Sequence, residues 1–138
     1  MKIKCVWEHN GSDSLLYAAN CVGAFTRGES VERALAKMSG EIQSYYRWLG
    51  EEIPEEIEPV IVQEKPSELE IKDADSDVLF ETEKAPLALE EYRGLKELAL
   101  KSAEDFLKLY ESIPDKNASA LPVRQTFYGH LPRTAEEM

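Results

Sequence analysis

From Lys2 to His9 the chain is rich in β-branched, aromatic and sulfur residues. Asn10-Gly11-Ser12-Asp13 then supplies turn chemistry, and Ser14 to Asn20 is apolar again, a pattern that predicts a β-hairpin. The next short run, Val22 to Thr26, is open to a third strand, with Phe25 placed to point into the space under a following element. Behind it the period changes. Val31, Ala34, Leu35, Met38, Ile42, Tyr45, Tyr46 and Leu49 recur at three- and four-residue steps, which puts them on one face of a helix. Ser30 is placed to cap that helix, and Gly28 before it permits a sharp change of direction. Ser39-Gly40 in the middle costs about 1 kcal/mol relative to Ala and predicts a kink or a break.

Gly50 ends the helical pattern, and residues 51–59 form an acidic connector bounded by Pro54 and Pro59. Val60 to Val62, Leu69 to Ile71 and Val78 to Phe80 read as two or three further strands, with Asp73 to Asp77 as a solvated hairpin turn. The Asp-x-Asp-x-Asp spacing resembles the start of a calcium loop, but Val78 and Lys84 stand where the loop needs Gly and Glu. After Pro86, the stripe Tyr92, Leu95, Leu98, Ala99, Ala103, Phe106, Leu109, Tyr110 and Ile113 predicts a long amphipathic helix. Lys116 to Pro132 has no periodicity and reads as an extended tail. Thr134 then caps a helical start that ends with the chain at Met138.

These elements predict an α+β protein. An antiparallel, hairpin-led sheet of four to six strands is backed by the Ser30 to Leu49 helix, and a long C-terminal helix either docks on the sheet or reaches to a partner. The expected organisation is a β-β-(β)-α-β unit over 1–64, a strand extension over 65–84, and the helix with its tail over 85–138. With 138 residues, 43% of them hydrophobic, the chain can bury one ordinary core or two small ones. The length of the second stripe, against the limited surface of a sheet backed by one helix, points to a homo-oligomer, most simply a dimer.

Charge narrows the partners. Asp and Glu total 27 against 16 Lys and Arg, a net charge of -11, which repels nucleic-acid phosphates and anionic lipid and suits a basic protein partner, if the acidity is more than a solubility device. Lys2 and Lys4 interrupt the apolar N-terminus, so no signal peptide is read and the chain is expected to be cytoplasmic. Cys5 and Cys21 are the only cysteines; a hairpin at Asn10-Gly11 sets Cys5 opposite a residue near Ala18, so two free thiols are expected.

The usual cofactor and hydrolase motifs are missing, so no catalytic residue, cofactor or metal is assigned. His9 beside the turn and His130 in a Gly-His-Leu-Pro run read as exposed loop residues. The candidate partner-binding residues are Tyr45, Tyr46 and Trp48, which together exceed what one narrow core stripe needs, and the connector acids Glu51, Glu52, Glu55 and Glu56. Core packing of one or two of the aromatics is the competing reading.

Gly23, Phe25, Thr26 and Gly28, then Ser30, Glu32 and Ala34-Leu35, an apolar helix and a Pro-bounded exit make the region of about 1–62 resemble the HicB-like antitoxin family. Arg33 departs from it, a base where an acid is common. The resemblance implies a small α/β fold, an antiparallel sheet backed by one helix, that binds a toxin ribonuclease and carries a DNA-binding tail. No helix-turn-helix or ribbon-helix-helix tail is readable here. The last third is similar to the start of a DinB-like helical bundle, a family whose metal ligands are histidines; neither His9 nor His130 stands at a matching position. A truncated DinB-like enzyme is therefore the alternative, and a self-associating structural domain a third.

Overall fold

A computed structural model describes residues Met1–Met138. They form two compact units, Met1–Ala85 and Pro86–Met138. In the first, β1 (Lys2–Asn10) and β2 (Asp13–Ala18) make the expected hairpin, with Cys5 opposite Ala18. β3 (Phe25–Gly28) pairs antiparallel with β2, α1 spans Val31–Leu49, and β4 (Glu58–Pro66) closes a sheet of order β3-β2-β1-β4.

The sheet is mixed, not antiparallel: β4 runs parallel to β1. A tight turn reverses the chain, whereas a helical connection carries it back to the end it left. β3, α1 and β4 therefore form a β-α-β crossover over β2 and β1, and β4 arrives in the direction of β3. A bulge between Cys5 and Val6 leaves Val62 as the extra residue of β4.

α1 is one continuous helix, without the expected break at Ser39-Gly40. Its burial on the sheet outweighs the propensity cost of one glycine, whose site is open to solvent. The Ser30 hydroxyl accepts from the Arg33 amide at 3.4 Å, and Gly50 ends the helix at φ 77°, where a side chain would be strained. At Gly28 a Cβ would meet the Ala34 nitrogen at 2.7 Å, so only glycine admits this close approach of strand to helix.

Ala34, Met38 and Ile42 of α1 pack on Ile3, Cys5, Leu16, Ala18, Cys21 and Ala24. Phe25 is not under the helix as expected but 46% exposed on the other face, where it lies 6.2 Å from Tyr17. Strand alternation decides this, because Ala24 and Thr26 take the inward positions, and the Thr26 hydroxyl donates to the Ala34 carbonyl at 2.9 Å.

The second face of the sheet is also covered. The segments read as strands at 69–71 and 78–80 are instead parts of a strap: a 3-10 turn at Ile71–Asp73, then extended chain to another 3-10 turn at Glu81–Glu83. Ile71 is 1% exposed, its 3-10 turn lies against β1 and β2, and the Phe80 ring lies tilted 5.6 Å from that of Tyr17. With these apolar anchors the strap needs no ladder of its own.

The second unit holds α2 (Leu89–Ser112), three residues later than Pro86, and a tail that is not wholly extended. β5 (Gln125–Thr126) and β6 (Gly129–His130) form a minimal hairpin around Phe127-Tyr128, and Thr134 caps a 3-10 turn with a reciprocal bond from Glu137. None of residues 86–138 is buried. No helix is long and apolar enough to cross a membrane.

Candidate functional site

The end of α1 carries the aromatic group singled out in the sequence. Tyr45 lies 6.2 Å from Tyr46 and 5.8 Å from Trp48, ring centre to ring centre. All three are half-buried, and Tyr45 and Tyr46 pack on the core with Ile57. Burial, then Cys21 and Glu51, push both tyrosine hydroxyls up from their ordinary range. Burial likewise raises the Cys5 thiol to about 11 and that of Cys21 upward, so both cysteines are neutral core residues. The aromatics therefore divide between packing and display, and none of them is a projecting anchor.

Glu51, Glu52, Glu55 and Glu56 are all exposed on the connector that follows. Its backbone is tied at both ends: the Glu51 amide donates to the Tyr46 carbonyl at 3.1 Å, and the terminal ammonium of Met1 donates to the Glu56 carbonyl at 2.6 Å. The connector delivers the chain to β4, whose outer edge has no neighbouring strand. Ile61 and Val62 on that edge are 37% and 53% exposed.

Acidity is not spread along the chain. Residues 51–83 hold thirteen carboxylates against Lys65 and Lys72, a net charge of -11, while 1–50 and 84–138 are each balanced to within one charge. Connector, open edge and strap thus carry the whole net charge of the protein. Counting charge by segment, not only in total, is the sequence signal that finds this.

The strap is held by polar contacts that the sequence pattern did not mark. Glu8 is fully buried on β1; its carboxylate accepts from the Ser76 hydroxyl and, at 3.2 Å, from the Asp77 amide. Gln63 of β4 donates to the Leu79 carbonyl and accepts from the Glu81 amide, both at 2.9 Å. Lys65 pairs with Asp77 and holds that carboxyl below its usual range. Asp77 is thus a tether of the strap and not part of a solvated hairpin turn.

His9 is not a loop residue. It sits in β1, stacked 4.3 Å from Trp7, with Nε2 3.1 Å from Glu64. His130 lies in β6, 3.4 Å from Glu137. No group of three or more His, Cys, Asp or Glu side chains is arranged to hold a metal ion. No protein-family model matches the sequence, and no curated protein or solved structure matches it.

Proposed function

We propose that this chain is a non-catalytic protein interaction module of the HicB-like, antitoxin-like kind that takes a small basic protein along the outer edge of β4. The observation that carries this reading is the confinement of the net charge to residues 51–83, around a strand edge with unpaired backbone groups and two exposed aliphatic side chains. A partner strand adds to β4 through main-chain hydrogen bonds, Ile61 and Val62 give it apolar contact, and the flanking carboxylates attract basic residues before contact forms. The acids Glu51, Glu52, Glu55 and Glu56 lie on the connector that leads into β4, and Trp48 on the last turn of α1 before it. Two free, buried thiols suit a reducing compartment, and a cytoplasmic setting is part of the reading.

Affinity capture from the native host tests it, with three variants: Val62→Pro at the edge, Trp48→Ala, and the four connector acids changed to Gln. The expected result is one small basic protein, lost with Val62→Pro and weakened by the other two. Its association rate falls as added salt shortens the Debye length from about 10 Å at 0.1 M. Recovery of no basic protein, or recovery unchanged by all three variants, overturns the reading.

A further inference from the structure

The part of the β4 edge that can accept a strand is shorter than its nine residues. The Glu58 amide donates to the Met1 carbonyl at 2.9 Å and the Ser67 amide to the His9 carbonyl at 2.7 Å, so positions 58 and 67 turn their backbone groups toward β1. Backbone direction alternates along a strand. Positions 60, 63 and 65 therefore point inward as well, and 59, 61, 64 and 66 point outward on either side of the bulge. Pro59 and Pro66 have no N–H, so the edge lacks a donor at each end. Ile61 and Glu64 are the outward positions that offer both an N–H and a carbonyl, which confines a partner strand to 60–65.

The same two positions share a face. Ile61 pairs with Cys5 and Glu64 with Trp7, and the side chains of Cys5 and Trp7 lie in and against the core under α1. Gln63 and Lys65 instead face the strap. Glu64 is held in place: its Oε1 accepts from His9 Nε2 at 3.1 Å, the His9 ring stacks 4.3 Å from Trp7, and Trp7 Nε1 donates to the Ser14 hydroxyl at 3.0 Å. A carboxylate only accepts, so Nε2 carries the proton. The Glu64 side chain is still 54% exposed, which leaves a positioned carboxylate at the edge open to a second donor.

We infer that the edge selects a short segment in which an aliphatic residue lies two positions from a Lys or Arg, with the aliphatic side chain on Ile61 and the cation on Glu64. Residues opposite each other across a ladder share a face. The bulge lets two residues of β4 oppose one of the partner, so Ile61 and Glu64 meet positions i and i+2 of a regular strand. The acidity of residues 51–83 attracts any basic segment; the held carboxylate of Glu64 decides where its cation goes. Other charges on β4 do not replace it. Glu58 lies outside 60–65 with Lys2 at 3.9 Å, and Lys65 is paired with Asp77. The inference rests on the reading of β4 as a strand-accepting edge and adds which sequence that edge accepts.

A display library of random heptapeptides, selected on the full chain, tests this without a host protein. The expected result is enrichment of the aliphatic-x-basic pattern, in either chain direction. In calorimetric titration of the leading peptide, changing its basic residue to Gln weakens binding about tenfold, and Glu64→Gln does the same and erases the difference between the two peptides. Glu58→Gln removes an equal charge outside 60–65 and changes affinity by less than about twofold. Methylation of the peptide amides blocks binding at one alternate set and not at the other. No enrichment of the pattern, a Glu64→Gln variant that still separates the two peptides, equal losses for Glu58→Gln and Glu64→Gln, or equal tolerance of methylation at every amide overturns the inference. Selection of the pattern without capture of a basic host protein counts against the proposed function alone; a captured protein that is lost with Val62→Pro but indifferent to Glu64→Gln overturns this inference alone.

Discussion

α1 and α2 look alike in sequence, each an amphipathic helix with an apolar stripe, but only α1 has its stripe covered inside its own unit. Every buried apolar side chain lies at or before Ile71, and none lies in 86–138. The difference comes from connectivity. α1 bridges two strands of one sheet, so pairing those strands presses it onto the sheet and buries Ala34, Met38 and Ile42. α2 is followed by a tail with a two-residue hairpin, which offers no surface of comparable length. An amphipathic stripe shows that a helix has an inner face; the cover for that face has to come from topology or from another chain.

The sharpest way to break this contrast is to remove matched apolar groups from the two helices. Ile42→Ala empties a fully buried site and is expected to cost about 2–5 kcal/mol, whereas Leu100→Ala, at a position 55% exposed, costs under about 0.5 kcal/mol. Trp7 and Trp48 both lie in the first unit, so tryptophan emission in a denaturant titration reads that unit alone while circular dichroism reads both. An Ile42→Ala midpoint close to that of the unchanged chain would contradict the core described here.

A second expected effect comes from alkaline pH. The Cys5 thiol sits at about 11 when folded against 9.0 for an ordinary cysteine, so above pH 9 the unfolded chain loses its proton first and stability falls. The loss starts near pH 9 and is complete by about pH 11. It is on the order of 3 kcal/mol, in the first unit only. Cys5→Ala lessens this slope, measured as urea midpoints between pH 8 and pH 11, and the part that remains belongs to Cys21, Tyr45 and Tyr46, which are also raised.

A third contrast lies within the first unit, between the face held by α1 and the face held by the strap. Glu8→Gln replaces a carboxylate oxygen by an amide nitrogen opposite a donor, the Ser76 hydroxyl or the Asp77 amide, and is expected to cost about 1–3 kcal/mol. Hydrogen exchange at the Asp77 amide should quicken more than exchange in α1. Equal quickening in both would show that sheet and strap open as one body.

These particulars show where the sequence was readable. The hairpin, the Cys5 to Ala18 register, the Ser30 cap and both helices rest on local chemistry, which a sequence states directly. The direction of β4 is decided by a crossover of distant parts, and period and propensity do not encode it. The strap escaped because its apolar residues are sparse: Ile71 and Phe80 fill single sites on a face already paired, so strand-like composition appears without a ladder. Glu8 escaped because a carboxylate in a strand reads as an outward residue until its partners, 68 and 69 positions away, are known. Of the candidate site, the aromatics and connector acids were legible as residue types, but that the connector leads into an edge strand follows only from the sheet order.

The smallest expected effect compares how the two helices begin. Ser30 precedes α1 in an extended conformation and caps the Arg33 amide, so Ser30→Ala should cost about 1 kcal/mol. Ala88 precedes α2 with the same kind of backbone, φ -68° and ψ 152°, but has no side chain to offer, and the first amides of α2 lack a capping group. Ala88→Asp supplies an acceptor at that end and a negative charge favourable to the helix dipole, although Glu90 and Glu91 in the first turn already hold part of that benefit. The expected gain is about 0.5–1 kcal/mol in α2 alone, seen as slower exchange of the Glu90 to Tyr92 amides with no change in the tryptophan-monitored midpoint of the first unit. A shift of that midpoint by the same amount would show that the two units unfold together, and the contrast between a covered and an uncovered helix would then describe packing but not stability.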